Sequence, residues 1–271
     1  MLPIALSIAG SDSGGGAGIQ ADLKTFQQFR TFGTTVVVAV TAQNTLGVHA
    51  VHPIPPAVVA AQLDALASDL PPHATKSGML ATAELAELVA AHLERHRWPF
   101  YVLDPVMVAT SGDRLLDPDA EAVIRDRLVP LADVVTPNLD EASILVGFPV
   151  RDPDTMERAG RALIELGAGA AVVKGGHLDG HDLIDVLVGP DGVIRFPHTR
   201  LDTSSTHGTG CTLSAAITAG LARWQVNNRG VPPPLGEIVG IGLDYVHRAI
   251  ASAPGLGKGR GPVNHFVGSG E

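Results

Sequence analysis

The sequence predicts a three-layer α/β/α sandwich around a mostly parallel central sheet, on three observations. Short apolar runs recur along the chain as continuous hydrophobic stretches rather than alternating ones, the pattern of strands buried on both faces. Segments with helical periodicity separate them, which is the order that right-handed βαβ units produce. One stretch departs from this order: two short runs flank Gly189-Pro190-Asp191-Gly192, a turn signal that places a hairpin inside the α/β pattern. The 271 residues are read as a single domain over 1–271, because α/β folds of this length close one core without disulfides or metal.

In chain order, strands are expected over 4–9, 34–40, 101–104, 134–136, 171–174, 183–188 and 193–196. Between them, Ile19, Leu23 and Phe26 mark a first helix, and Val59, Leu63, Leu66 and Leu70 a second. Leu85, Leu88, Val89 and Leu93 mark a third, opened by Thr82 as N-cap. Leu163 and Leu166, then Leu213, Ile217 and Leu221, then Ile238, Ile241 and Tyr245 mark three more. Residues 227–234 and the glycine-rich 254–261 read as loops, and no internal repeat is present.

Composition bounds the function. The net charge is −9, from 19 basic and 28 acidic residues, and no basic run exists, so nucleic acid is not an expected partner. Bound anions must be held locally, by backbone N–H groups and a few placed cations. The single cysteine, Cys211, suits a reducing compartment. No signal peptide is visible and apolar runs such as 36–40 are too short to span a bilayer, so a cytoplasmic location without membrane contact is expected.

Five segments carry chemistry. Residues 10–18 are glycine-rich and lie between a strand and a helix, where glycine lets the backbone turn and approach a ligand. They contain Gly16-x-Gly18-x-x-Ala21, but no Asp or Glu lies between Asp22 and Asp64, so a dinucleotide-binding reading lacks its ribose carboxylate. A glycine-rich turn for strand–helix packing stays open for this segment alone. Thr206-His207-Gly208-Thr209-Gly210-Cys211-Thr212 runs into an apolar helix. Its N–H groups and the helix dipole are expected to form an anion hole, to which Thr206, Thr209 and Thr212 add hydroxyls, against the alternative of a well-capped helix start that binds no ligand. In that field Cys211 is expected to have a lowered thiol pKa, against the alternative of an inert buried cysteine. Asn138-Leu139-Asp140-Glu141 has the form of a capping box, a reading as good as a functional one on this segment alone. Lys174, followed by two glycines at a strand end, suits a phosphate contact at the carboxyl edge of the sheet, with a snorkelling surface lysine as the alternative. Asp104, also at a strand end, is a candidate for Mg²⁺ or a turn cap. His92 and His96, four apart on a helix, read as a solvated face.

Taken together, 9–24, 42–47, 76–80, 104–107, 136–141, 174–177, 206–214 and 257–266 resemble the bacterial hydroxymethylpyrimidine/phosphomethylpyrimidine kinases of thiamine biosynthesis, within the ribokinase-like superfamily. The resemblance implies a ribokinase-like fold, a homodimer, and two successive ATP- and Mg²⁺-dependent phosphorylations of a hydroxymethylpyrimidine. It implies that Gly10, Asp22, Gln43, Met79 and Val106 bind the pyrimidine, a Gln amide being able to donate and accept against an aminopyrimidine edge. It implies that Asn138, Lys174, Thr206 and Thr209 bind the nucleotide and that Asp104 and Glu141 assist Mg²⁺ through water. Gly208, Gly210 and Cys211 are the catalytic positions this resemblance leads us to expect, with Cys211 expected beside the attacking hydroxyl to deprotonate or orient it. Thr110 stands where a lysine is expected, so a cation for the substrate phosphate must come from elsewhere. Pyridoxal kinase, acting on another ring hydroxymethyl compound, is the alternative.

Overall fold

The computed structural model describes residues 1–107, 118–176, 178 and 180–270. The chain runs β1 (Ile4–Ala9), α1 (Gly18–Gln28), β2 (Phe32–Val37), β3 (Ala39–Asn44), β4 (Gly47–Pro53), α2 (Pro56–Asp69), β5 (Ala74–Ser77), α3 (Ala83–His96), β6 (Tyr101–Leu103) and α4 (Pro118–Val123). After a π turn (Ile124–Leu128) and a 3-10 turn (Val129–Leu131) come β7 (Val134–Val135), α5 (Leu139–Val146), α6 (Pro153–Glu165), β8 (Ala171–Val173), β9 (Asp182–Gly189), β10 (Gly192–Thr199), α7 (Thr209–Asn227) and α8 (Leu235–Ala251).

Eight strands form one sheet in the order β10-β9-β8-β7-β6-β5-β1-β2. Every pair from β2 to β8 is parallel, and β9 and β10 are antiparallel, which is the expected hairpin turning at Gly189 and Gly192. The period-2 alternation of strand side chains divides the core between the two faces. Leu6 and Ile8 of β1 and Leu103 of β6 join α2 and α3 on one face. Ala5 and Val102 join Phe26 of α1, Leu213 and Ile217 of α7 and Tyr245 of α8 on the other. There the Phe29 and Tyr245 rings meet edge to face, 5.2 Å between centroids. The expected three layers are therefore present, in one chain with a continuous sheet.

The helices begin where the sequence places their caps. The Thr82 hydroxyl accepts from Leu85 N–H at 3.2 Å, and α5 opens with a complete capping box between Asn138 and Glu141. Two expectations need correcting. Residues 34–40 do not form one strand: the edge strand β2 ends at Val37, and β3 turns out of the sheet to pair antiparallel with β4 as a separate two-stranded flap. β4 and β5 were also not anticipated; β4 is largely exposed, and β5 is a buried strand of Ala74, Thr75, Lys76 and Ser77 whose polar side chains hide it from any hydropathy pattern. Among the described residues no helix is long and apolar enough to cross a membrane.

Candidate active site

Parallel strands deliver their carboxyl ends to one edge of a sheet, and ligands of open α/β sheets bind along that edge. Here β1 leads into Gly10, β5 into Gly78 and Met79, β6 into Asp104, and β8 into Lys174. These residues line one cavity of about 1200 Å³ together with the loop 206–211 at the start of α7.

The anion loop depends on backbone close approach. Gly208 precedes α7 with φ +83°, and a Cβ there would lie 1.8 Å from the Gly16 carbonyl oxygen. The glycine-rich segment and the anion loop are thus packed backbone to backbone. A hydrogen bond seals the junction: His207 Nε2 lies 2.8 Å from Asp12 Oδ2. The buried Asp12 carboxylate also accepts from the N–H groups of Gly14, Gly16 and Ala17. Burial alone would raise its pKa, but His207 and these donors outweigh burial and lower it. Thr212 N–H bonds Gly208 O at 2.9 Å, so the N–H groups of Gly210 and Cys211, the two residues just before it in the first turn, are left for a ligand. A Cβ at Gly210 would come within 3.1 Å of Lys174 Nζ, so the helix N-terminus and the lysine converge.

Lys174 is held by carboxylates. Its Nζ donates to Asp104 Oδ1 at 3.1 Å and lies 3.9 Å from Glu141 Oε2. Burial lowers the Lys174 pKa, but Asp104 and Glu141 more than reverse this, so the ammonium is fixed in its charged form. Asp104 takes further bonds from Thr136 Oγ1 at 3.4 Å and Ser214 Oγ at 3.2 Å. Asp104 is thus the hydrogen-bonded partner of Lys174, Thr136 and Ser214. Glu141 is different: Oε2 accepts from Asn138 N–H at 2.8 Å, Oε1 has no hydrogen bond among the described residues, and burial pushes its carboxyl up to about 7.

Gly10, Gln43, Met79 and Val106 line the same cavity. Gly10 N–H bonds Met79 O at 3.1 Å, and a Cβ on Gly10 would collide with Met79 Cε at 2.6 Å. Gln43 is carried in by the flap and pinned to the glycine segment, its N–H donating to Ser13 Oγ at 2.8 Å. The nucleotide-side candidates Asn138, Thr206 and Thr209 also line the cavity.

Four expectations differ. Asp22 is not a cavity-lining residue: it is fully buried behind the wall, bonded to Lys76 Nζ at 2.7 Å and Ser7 Oγ at 2.5 Å. The Thr212 hydroxyl faces away from the cavity, donating to Gly208 O and pairing with His265 Nε2 at 3.0 Å. Cys211 lines the cavity, but its thiol is not activated. Burial pushes it up to about 12, and Asp104 and Asp22 add to burial against Lys76 and the Gly18 N–H. His92 and His96, read as a solvated face, are largely covered and both point toward Asp64, at 3.7 and 3.9 Å. Thr110 and His177 lie outside the described residues.

Sequence reading did not single out Asp12 or Lys76 although both sit in quoted segments, because their roles depend on partners far along the chain. It also missed the wall formed by Phe196 and His198 of β10 with Leu243, Val246 and His247 of α8, which no local motif marks.

A phosphomethylpyrimidine kinase family model matches residues 12–264. The hydroxymethylpyrimidine/phosphomethylpyrimidine kinase of Rhizobium meliloti (strain 1021) is 51% identical over 269 residues, spanning 98% of each chain. An ADP complex of Bacillus subtilis pyridoxal kinase superposes with a TM-score of 0.88 at 37% identity, over 98% of each chain. The phosphomethylpyrimidine kinase of Clostridium difficile 630 superposes with a TM-score of 0.79 at 39% identity, over 92% of this chain and 99% of its own.

Proposed function

The chain belongs to the phosphomethylpyrimidine kinase family, and on that premise we propose that its cavity phosphorylates 4-amino-5-hydroxymethyl-2-methylpyrimidine with ATP, first to the monophosphate and then to the diphosphate. It is thus a bifunctional hydroxymethylpyrimidine/phosphomethylpyrimidine kinase of thiamine biosynthesis with a ribokinase-like fold. The observation that carries this reading is the convergence of the α7 N–H groups and the Lys174 ammonium in a cavity that Gln43 and Met79 also line.

In each step an acceptor oxygen attacks the γ-phosphorus of ATP, the bond to the bridging oxygen breaks, and ADP leaves. Phosphoryl transfer depends on positioning and charge stabilisation more than on a strong base. The N–H groups of Gly210 and Cys211 and the Lys174 ammonium supply that stabilisation. Cys211, with a thiol pKa near 12, stays protonated at neutral pH and orients the hydroxyl rather than deprotonating it. The β10–α8 wall, with Phe196, Leu243 and Val246, offers an apolar face for the nucleotide base.

Among the described residues no group of three or more His, Cys, Asp or Glu side chains could hold a metal alone. One uncommitted carboxylate oxygen beside bound phosphates fits Mg²⁺, which keeps much of its hydration. Glu141 would hold it through water, and the ion would neutralise phosphate charge. The homodimer reading is supported by the β3–β4 flap, which leaves Val40, Leu46 and Val51 exposed. The lone cysteine and the ATP requirement support a cytoplasmic location.

The test is ADP release with Mg-ATP and three acceptors: the hydroxymethylpyrimidine, its monophosphate and pyridoxal. Turnover of both pyrimidines well above pyridoxal supports the reading. The likeness to pyridoxal kinases gives the third arm its weight, and a preference for pyridoxal would overturn the substrate assignment while leaving the anion hole in place.

A further inference from the structure

The two steps differ in one physical respect. The first acceptor is a neutral alcohol, whereas the second is a phosphate monoester carrying a charge of roughly −1.5 to −2 at neutral pH. Bringing that charge beside the γ-phosphate calls for a cation that the first step does not use.

Four described cations line the cavity: Lys174, Arg195, Arg200 and Arg260. Lys174 is held by Asp104 and Glu141 at the phosphoryl-transfer end. Arg195 reaches outward to Asp154 and Glu157, each at 3.4 Å. Arg200 is spent on the carbonyl oxygens of Gly176, Leu178 and Gly180. The Arg260 guanidinium alone has no hydrogen bond or ion pair among the described residues, with five donors available.

Its backbone places it at the acceptor end. Arg260 N–H donates to Thr45 O at 2.9 Å, two residues beyond Gln43 on the flap, and the next carbonyl, Gly261 O, accepts from His207 N–H at 3.1 Å. Lys258 and Gly259 N–H groups also bond Thr45 Oγ1, at 3.2 and 3.3 Å. Arg260 is therefore strapped between the residue pair that flanks the acceptor, Gln43 on one side and the anion loop on the other.

We propose that Arg260 is the specificity residue of the second phosphorylation, its guanidinium binding the acceptor's own phosphate by bidentate hydrogen bonds. This rests on the kinase reading above. In that step an oxygen of the acceptor phosphate forms the new bond to the γ-phosphorus, the γ-phosphorus–ADP bond breaks, and ADP takes the electron pair. The attacking oxygen is already anionic, so no proton has to move.

The experiment measures kcat/KM for the alcohol and for the monophosphate with the wild-type chain, R260A and R260K. The ratio of monophosphate to alcohol is expected to fall at least tenfold in R260A, chiefly through KM, and to fall less in R260K, which keeps the charge but loses the planar fork that binds phosphate through two parallel hydrogen bonds. Calorimetric titration with the monophosphate in the absence of ATP should show the same weakening. Equal loss of both steps, or an unchanged ratio, would overturn the Arg260 assignment alone. A wild-type chain that turns over neither pyrimidine would overturn the kinase reading, and this assignment with it.

Discussion

Lys76 Nζ lies 2.7 Å from Asp22 Oδ1 in the middle of the fold, and neither side chain is exposed to solvent. Lys76 comes from β5, where it pairs in register with Ser7 of β1, and Asp22 comes from α1, so the ion pair ties the sheet to the helix layer that carries Cys211. Burial disfavours the ammonium, but Asp22, Cys211 and Asp104 outweigh burial and raise the Lys76 pKa. Burial also raises Asp22, against the pull of Lys76.

Removing one partner of such a pair strands a buried charge. Lys76→Met is therefore expected to destabilise the fold by about 3–5 kcal/mol. The double variant Lys76→Met with Asp22→Leu should recover most of that loss, because neither charge then remains. Urea denaturation of the three chains checks this; a double variant no more stable than the single one would refute it.

Gly208→Ala tests the anion hole. The substitution puts a side chain at φ +83° and 1.8 Å from Gly16 O, so the loop must move. The N–H groups it aims are of the kind whose loss costs about 10²- to 10³-fold in kcat. A drop of that order with an unchanged circular dichroism spectrum is expected; near-normal turnover would show that the loop does not hold the transferring group.

Glu141 gives the stability a pH signature. Its carboxyl ionises at about 7 in the folded chain against 4.5 ordinarily, so between these values the folded state holds a proton that the unfolded state has lost. The contribution of Glu141 is fully present below 4.5 and is lost as pH rises through about 7, at about 1.4 kcal/mol per unit of pKa difference. Glu141→Gln keeps a side chain able to complete the capping box but cannot titrate. Its stability relative to wild type should rise between these two pH values and level off above 7, as followed by thermal denaturation across pH. A constant difference would refute the assignment.

Cys211 should behave as a hydrogen-bonding thiol. With its pKa at about 12, alkylation by iodoacetamide at pH 8 is expected to be much slower than that of an ordinary cysteine. Cys211→Ala removes one orienting hydrogen bond, worth about 1 kcal/mol, so the alcohol step should fall roughly five- to tenfold. The monophosphate step, whose attacking oxygen carries no proton, should fall less. Fast alkylation at pH 8 would instead support a thiolate base.

The sequence by itself determined the layer architecture, because buried parallel strands and amphipathic helices write their periods locally. It also determined the β9–β10 hairpin, the α3 and α5 caps, and the glycine-rich entry into α7, each being a contiguous run whose chemistry is set by its neighbours in the chain. β5 stayed hidden because Thr75, Lys76 and Ser77 are polar, and the partners that take up Lys76 and Ser77, Asp22 and Tyr101, reach them only in the folded chain. The thiol of Cys211 was misjudged for the same reason: the helix N-terminus is visible in sequence, whereas desolvation and the nearby carboxylates are not. Asp12 meets His207 across 195 positions, and the Arg260 backbone meets Thr45 from the other end of the chain. Pairings over such distances are decided by which strand ends and loops the sheet order brings together, and desolvation acts only once that assembly has formed.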